Sequence, residues 1–263
     1  MRDFTTDTLH LLLSSLISAG YSFKSVAGYL ENPSAPAIIL RHDVDSRPGN
    51  SLVCAEIENR MGITGTYYFR TVPQSFDETV IRKISSLGHE IGYHYEDLAV
   101  AKGDFDKAIR LFRENLAKLR RLAPVETICM HGSPLSKHDN RLLWDKYSYK
   151  DSGIRAEAYI DTDFRTVHYL TDTGRRWNGD RYSVRDRAPA DTPIKSQAEG
   201  RESIGFSSTF DIIRAADANK LPSVIMMTLH PQRWNNSILP WLHELVWQNT
   251  KNVVKRSLTT YRS

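Results

Sequence analysis

Apolar runs of strand length, each ending in a titratable side chain and followed by helix-period sequence, recur along this chain and limit it to an α/β fold. The first run is Ala37-Ile-Ile-Leu40, preceded by Pro36, and it ends abruptly in Arg41-His-Asp-Val-Asp45. Side chains of a strand alternate between faces, so Asp43 and Asp45 share one side and Val44 takes the other. Two carboxylates side by side at the end of an apolar strand repel each other. They are costly to desolvate unless a cation, a proton or water compensates them. Such a pair is the raw material of a metal site or an acid–base site.

Upstream, residues 7–19 carry leucines at helical spacing and stop at Gly20, which predicts an amphipathic helix capped by Thr6 or Asp7. Asn50–Met61 predicts a second helix ending at Gly62, and the aromatic, β-branched stretch Thr64–Arg70 a strand. Asp77–Leu87 is a helix closed by Gly88, and Glu90–His94 a short strand. From Asp104 to Leu122, Phe105, Ala108, Ile109, Phe112, Leu116 and Leu119 fall on one helical face, with acids at the start and arginines at the end as the helix dipole favours. Further strands are expected at Glu126–Met130, which runs into His131, and at Ala156–Ile160, Thr166–Leu170 and Ser223–Leu229, the last followed by His230. Ile238, Trp241, Leu242, Leu245, Val246, Val253 and Val254 outline a final helix.

Strands alternating with helices of this length pair in parallel through right-handed crossovers. The expected architecture is one domain over residues 1–263, a distorted (β/α)7-type barrel of parallel strands with an N-terminal helix and a long polar loop before the last βα unit. That loop, Gly174–Ser203, has neither helical nor strand period and reads as a lid or as a disordered segment.

A chain of 263 residues with 40% hydrophobic and 25% charged residues can bury a sizeable core as an ordinary globular protein. The net charge of +4 is mild and interspersed. It would suit an acidic glycan, a lipid phosphate or a membrane surface, and it equally suits a solvated exterior. No nucleic-acid partner is expected. Cys54 and Cys129 stand in helical and buried-strand contexts, which argues against a disulfide framework and for a reducing compartment. No stretch approaches the length of a membrane span. The expected location is the cytoplasm, with peripheral contact to the inner face of the membrane left open, and nothing in the sequence bears on oligomeric state.

Asp43, Asp45, Arg70, His94, His131, Asp172 and His230 all fall at expected strand ends, where the loops of an α/β barrel converge on one mouth. A carboxylate with imidazoles suits a divalent cation such as zinc. A second carboxylate can take a proton from the water that such a cation activates, and a histidine opposite can protonate a leaving amine. Hydrolysis of an amide or an ester fits these parts.

Arg41-His-Asp-Val-Asp45, Gly88-His-Glu-Ile-Gly-Tyr-His94 and Leu229-His-Pro231 together resemble the polysaccharide deacetylase superfamily, carbohydrate esterases that remove N-acetyl groups from chitin-like and peptidoglycan sugars. More narrowly they resemble its R-H-D-V-D branch, met among surface-glycan biosynthesis proteins. The match runs from near Pro36 to near Trp234. The resemblance implies Asp43 as catalytic base, Asp45 as metal-binding aspartate, and His94 as the first histidine of the family's His-[Ser/Thr]-x-x-His metal motif. It also implies Asp172 as the aspartate that tunes the base or acid, and His230 as catalytic acid. The motif's second histidine would stand at Leu98, which cannot ligate. His131 is the expected third ligand of a divalent metal, zinc by preference, with Glu96 and Asp97 as alternatives. His131 also occupies the place of the family's arginine-bearing loop, so Arg70, Arg41 or the Arg-rich loop is expected beside the base.

Arg70, Trp177 and Trp234 are expected to bind substrate, the tryptophans by stacking on a pyranose ring. His89 and His42 are expected to be structural, with Glu90 as a buried partner for His42, and Tyr67, Tyr68 and Phe69 to lie in the core. The function so implied is hydrolytic removal of an acetyl group from an amino sugar, saccharide or sugar-lipid intermediate. The alternatives are a metal-independent amide hydrolase of the allantoinase-like branch and a non-catalytic glycan-binding or scaffold protein.

Overall fold

The computed structural model describes residues 1–132, 136–177 and 206–260, with side chains up to Lys251 in the last helix. Its strands are β1 (Ser22–Lys24), β2 (Ala37–Val44), β3 (Thr66–Phe69), β4 (Glu90–Tyr95), β5 (Val125–Met130), β6 (Ala156–Glu157), β7 (His168–Thr171) and β8 (Val224–Leu229). Its helices are α1 (Thr6–Ser18), α2 (Val26–Glu31), α3 (Pro48–Arg60), α4 (Glu78–Ser86), α5 (Asp97–Val100), α6 (Phe105–Arg120), α7 (Leu143–Lys146), α8 (Thr209–Asp217) and α9 (Ile238–Thr260).

All the strand pairs are parallel, in the order β6-β5-β4-β3-β2-β8-β7, with β1 pairing the first half of β2. The end strands β6 and β7 do not pair with each other among the described residues, so the sheet is a curled half-barrel, the distorted (β/α) form expected. Every residue of β2, β3 and β8 is buried, as befits strands covered on both faces.

Alternation along β2 divides the core. Ile38 and Leu40 pack with Leu9, Leu12, Leu13 and Leu16 of α1 and Ile212 of α8. Ile39 belongs to the other cluster, with Tyr68, Tyr93 and Phe112. Arg41 and Asp43 share the face of Ile39 by strand alternation, and His42 the face of Leu40, so a strand that is apolar on both sides turns polar at its C-terminal end. The Tyr68 ring passes so close to Gly92 that a Cβ there would lie 2.2 Å from it, and only glycine admits this ring.

The helices α1, α3, α4 and α6 begin and end within a residue or two of the expected positions. Thr5, rather than Thr6 or Asp7, caps α1, accepting from the Thr8 backbone N–H; Asp77 and Asp104 cap α4 and α6. The short elements β1, α2, α5 and α7, and the helix α8, are not expected from periodicity, and β6 holds two residues where five were expected. Of the Gly174–Ser203 loop, residues from 178 onward lie outside the described residues. Cys54 and Cys129 are buried and neither forms a disulfide.

Candidate active site

The C-terminal end of β2 supplies the first groups. Arg41 is fully buried and donates through Nη2 to Asp43 Oδ2 at 2.8 Å and to the Tyr159 hydroxyl at 3.0 Å. Burial disfavours its charge, but Asp43, Cys129, Tyr159 and Tyr169 together more than compensate, and the guanidinium stays protonated. Arg41 is thus the arginine beside Asp43. Asp43 Oδ1 is buried and accepts no hydrogen bond.

Asp45 lies just past the strand. Its Oδ1 is 3.6 Å from His94 Nε2 and 3.6 Å from His131 Nε2, while its Oδ2 accepts from Gln232 Nε2 at 3.2 Å. The two imidazoles are oriented from behind. His94 Nδ1 meets the Cys129 carbonyl at 2.9 Å across the β4–β5 pairing, and His131 Nδ1 meets Glu96 Oε2 at 2.8 Å. Each ring therefore turns Nε2 toward Asp45, the arrangement that orients metal-ligating histidines. Glu96 is held in turn by Arg70, whose Nε and Nη2 reach Oε1 at 3.0 and 2.5 Å. Burial pushes the Glu96 carboxyl up, but His131 and Arg70 outweigh it and pull it down to about 2. Burial also holds His94 below the usual imidazole value, favouring the neutral form that a ligand requires. Burial raises Asp45, yet His131, His230, His94 and Arg233 together hold it well below the carboxylate range.

Asp45 Oδ1 is buried without a hydrogen-bond partner. An orphaned carboxylate oxygen between two imidazole nitrogens is costly unless a cation sits among them. The 3.6 Å spacings suit one with bonds of about 2.1 Å. Asp45, His94 and His131 form a group able to hold a metal ion. Asp43, His94 and Cys129 form a second such group on the buried side of His94.

The opposite wall is built on Asp172. Its carboxylate accepts from His230 Nδ1 at 2.6 Å, the His230 backbone N–H at 3.0 Å, Arg233 Nη1 at 2.6 Å and Trp234 Nε1 at 2.8 Å. Burial raises Asp172, but Arg233 and His230 outweigh it and keep the carboxyl low. Burial and Arg233 lower His230, and Asp172 and Asp45 overcome both, so the imidazole holds its proton more tightly than an ordinary histidine does. His230 Nε2 faces Asp45 Oδ2 at 4.0 Å.

Several expected residues do other work. Trp177 and Trp234 are buried, not available to a sugar: Trp234 packs on Phe4 at 5.1 Å between centroids and spends its N–H on Asp172, and Trp177 donates to Thr209 Oγ1 at 2.9 Å. Arg70 is engaged by Glu96 and by the Asp45 carbonyl at 3.4 Å, so it braces the site rather than reaching for substrate. Leu98 is buried in the core and faces no ligand position. Asp97 accepts from Tyr93 and Asn115, away from the cluster, and burial raises it to about 7. The partner of His42 is Glu58, at 2.8 Å, and not Glu90, which accepts from Thr66. His89 bonds the Ala55 carbonyl, and Tyr67, Tyr68 and Phe69 are core.

Glu96, expected as an alternative ligand, instead braces His131, and Gln232, Arg233 and Tyr159 were not expected at the site. Gln232 and Arg233 could have been found from their place in His230-Pro-Gln-Arg-Trp234, and Tyr159 carries no local signal.

No protein-family model and no curated protein matches the chain. Among solved structures, a CE4-family pseudoenzyme from Bacillus anthracis is 13% identical over 84% of this chain and 63% of its own length, with a TM-score of 0.40. The chain thus spans less than two thirds of that protein. The catalytic domain of a peptidoglycan N-acetylglucosamine deacetylase from Eubacterium rectale is 9% identical over 83% of this chain and 86% of its own, with a TM-score of 0.42. A peptidoglycan deacetylase from Bacillus subtilis is 11% identical over 86% of this chain and 98% of its own, with a TM-score of 0.37.

Proposed function

We propose that the chain is a metal-dependent hydrolase that removes an acetyl group from an amino sugar or related saccharide. The observation that carries this reading is the unpartnered Asp45 Oδ1 between the Nε2 atoms of His94 and His131, with Asp43 and His230 on either side. Asp45, His94 and His131 would hold a divalent cation, zinc for this N/O donor set, whose charge would polarise a carbonyl and ease deprotonation of water.

The protein's own groups divide the remaining work. Arg41 occupies Asp43 Oδ2, leaving Oδ1 to accept the proton of the attacking water. His230 holds a proton on Nε2 for the leaving nitrogen, and Asp172 fixes the ring by taking Nδ1–H. Arg70 and Glu96 keep His131 in register. Work on a nucleotide-linked or lipid-linked intermediate of surface-glycan assembly in the cytoplasm follows from the motif resemblance alone.

The test is acetate release from a panel of nucleotide-linked and lipid-linked acetylated amino sugars, with metal content of the protein measured alongside. Release that stops on chelation, returns with zinc and is abolished in His94→Ala supports the reading. Release that persists in chelator selects a metal-free amide hydrolase using Asp43 and His230. Saccharide binding without acetate release selects a binding protein.

A further inference from the structure

Helix α9 is inverted relative to an ordinary surface helix. The positions it buries against the body include Glu244 and Gln248, at 5% and 7% exposure, whereas Leu239 is 80% exposed, Val246 64%, Ile238 60%, Trp247 50% and Leu242 43%. Gln248 donates to Glu244 at 2.6 Å, so the inward polar pair is satisfied. Leu239, Leu242 and Val246 follow helical spacing and form one outward line, with Ile238 and Trp247 on its flanks. Apolar surface of this extent outside a core marks a face with a partner.

Charge indicates which partner. After Glu244 the chain contains Lys251, Lys255, Arg256 and Arg262 and no acidic side chain. The Lys251 ammonium lies over the Trp247 ring, 4.8 Å from its centroid, which sets a cation beside the exposed apolar line. No helix among the described residues is long and apolar enough to cross a membrane. An apolar line with tryptophan at its flank and cations following it is the composition of a helix that lies in the headgroup layer of an anionic bilayer.

We propose that the outer face of α9 docks on an anionic lipid surface. The helix packs on the two segments that frame the site: Arg47, two residues after Asp45, meets His243 at 3.2 Å, and Arg175, three after Asp172, donates to the Trp241 carbonyl at 3.4 Å. A docked α9 would therefore hold the segments that follow Asp45 and Asp172 close to the lipid boundary. The docking does not depend on the reaction proposed above, and its test reads no activity.

The experiment is co-sedimentation of the full chain with vesicles of phosphatidylcholine alone or mixed equally with phosphatidylglycerol. The variant is Leu239→Glu with Val246→Glu, two exposed positions whose change leaves the fold intact, checked by circular dichroism. The wild type is expected on the mixed vesicles, with binding falling as salt rises, and the double variant is expected to bind about tenfold or more weakly. Equal binding by the double variant would overturn the assignment of this face. Absence of vesicle binding would overturn it too, and a wild-type dimer that the variant converts to monomer would identify a second copy of the chain as the occupant.

Discussion

His131 turns Nε2 toward Asp45 Oδ1, at 3.6 Å, because Glu96 holds its Nδ1 at 2.8 Å from the other side. The position that the metal motif assigns to a histidine, four residues after His94, is taken by Leu98. In the metal centre proposed above, His131, just past β5, would complete the donor set in place of a residue of α5, with Glu96 orienting its ring.

Glu96→Gln should therefore weaken zinc binding. Removing the carboxylate that orients a ligating imidazole costs about 10–100-fold in metal affinity. Competition against a chromophoric chelator measures it, and an unchanged affinity would show that His131 needs no brace. Arg70→Ala should act in the same direction and less strongly.

Leu98→His should not restore a ligand. Leu98 is buried among apolar side chains, so the change should cost about 3 kcal/mol of stability and leave zinc affinity no higher than in the wild type. Thermal melts and the same chelator competition decide it. Tighter zinc binding by this variant would contradict the placement of Leu98.

The pH dependence of turnover should carry the mark of Asp172. His230 acts while protonated, and Asp172 raises its affinity for the proton, so activity should fall as pH rises through the raised value. Asp172→Asn should move that alkaline limb to lower pH and lower kcat by roughly 10²–10⁴-fold. A limb that stays in place would separate His230 from the proton transfer.

Asp97 provides a stability test away from the site. Its folded value, about 7, lies above the unfolded value of about 3.9, so the folded state holds a proton that the unfolded chain releases. The stability linked to it is complete below the unfolded value and is lost as pH rises through the folded one. The unfolding free energy from urea titrations should fall across that window by on the order of 4 kcal/mol, and Asp97→Asn should flatten the fall. Equal slopes in both proteins would refute the shift.

Much of this arrangement could be read from local sequence. Asp43, Asp45, His94 and His230 follow apolar runs directly, so periodicity was enough to set them at strand ends. What escaped the sequence depends on pairing between distant segments. The match of His94 to Cys129 across β4 and β5 brings His131 within reach of Glu96, and no spacing within either segment encodes it. Trp177 and Trp234 read as sugar platforms because they flank Asp172 and His230. Their burial is decided by Phe4 and Thr209, far away in the chain. The strands β1 and β6 are too short for any period to show.

Asn140 has a consequence for how this region can vary. Its amide spans two segments, accepting from the Ala99 N–H of α5 at 2.9 Å and donating to the His131 carbonyl at 2.9 Å. The helix that lacks a ligand and the residue that supplies one are thus tethered through a single side chain. A change at Asn140 would therefore be felt at the start of α5 and at the His131 backbone together.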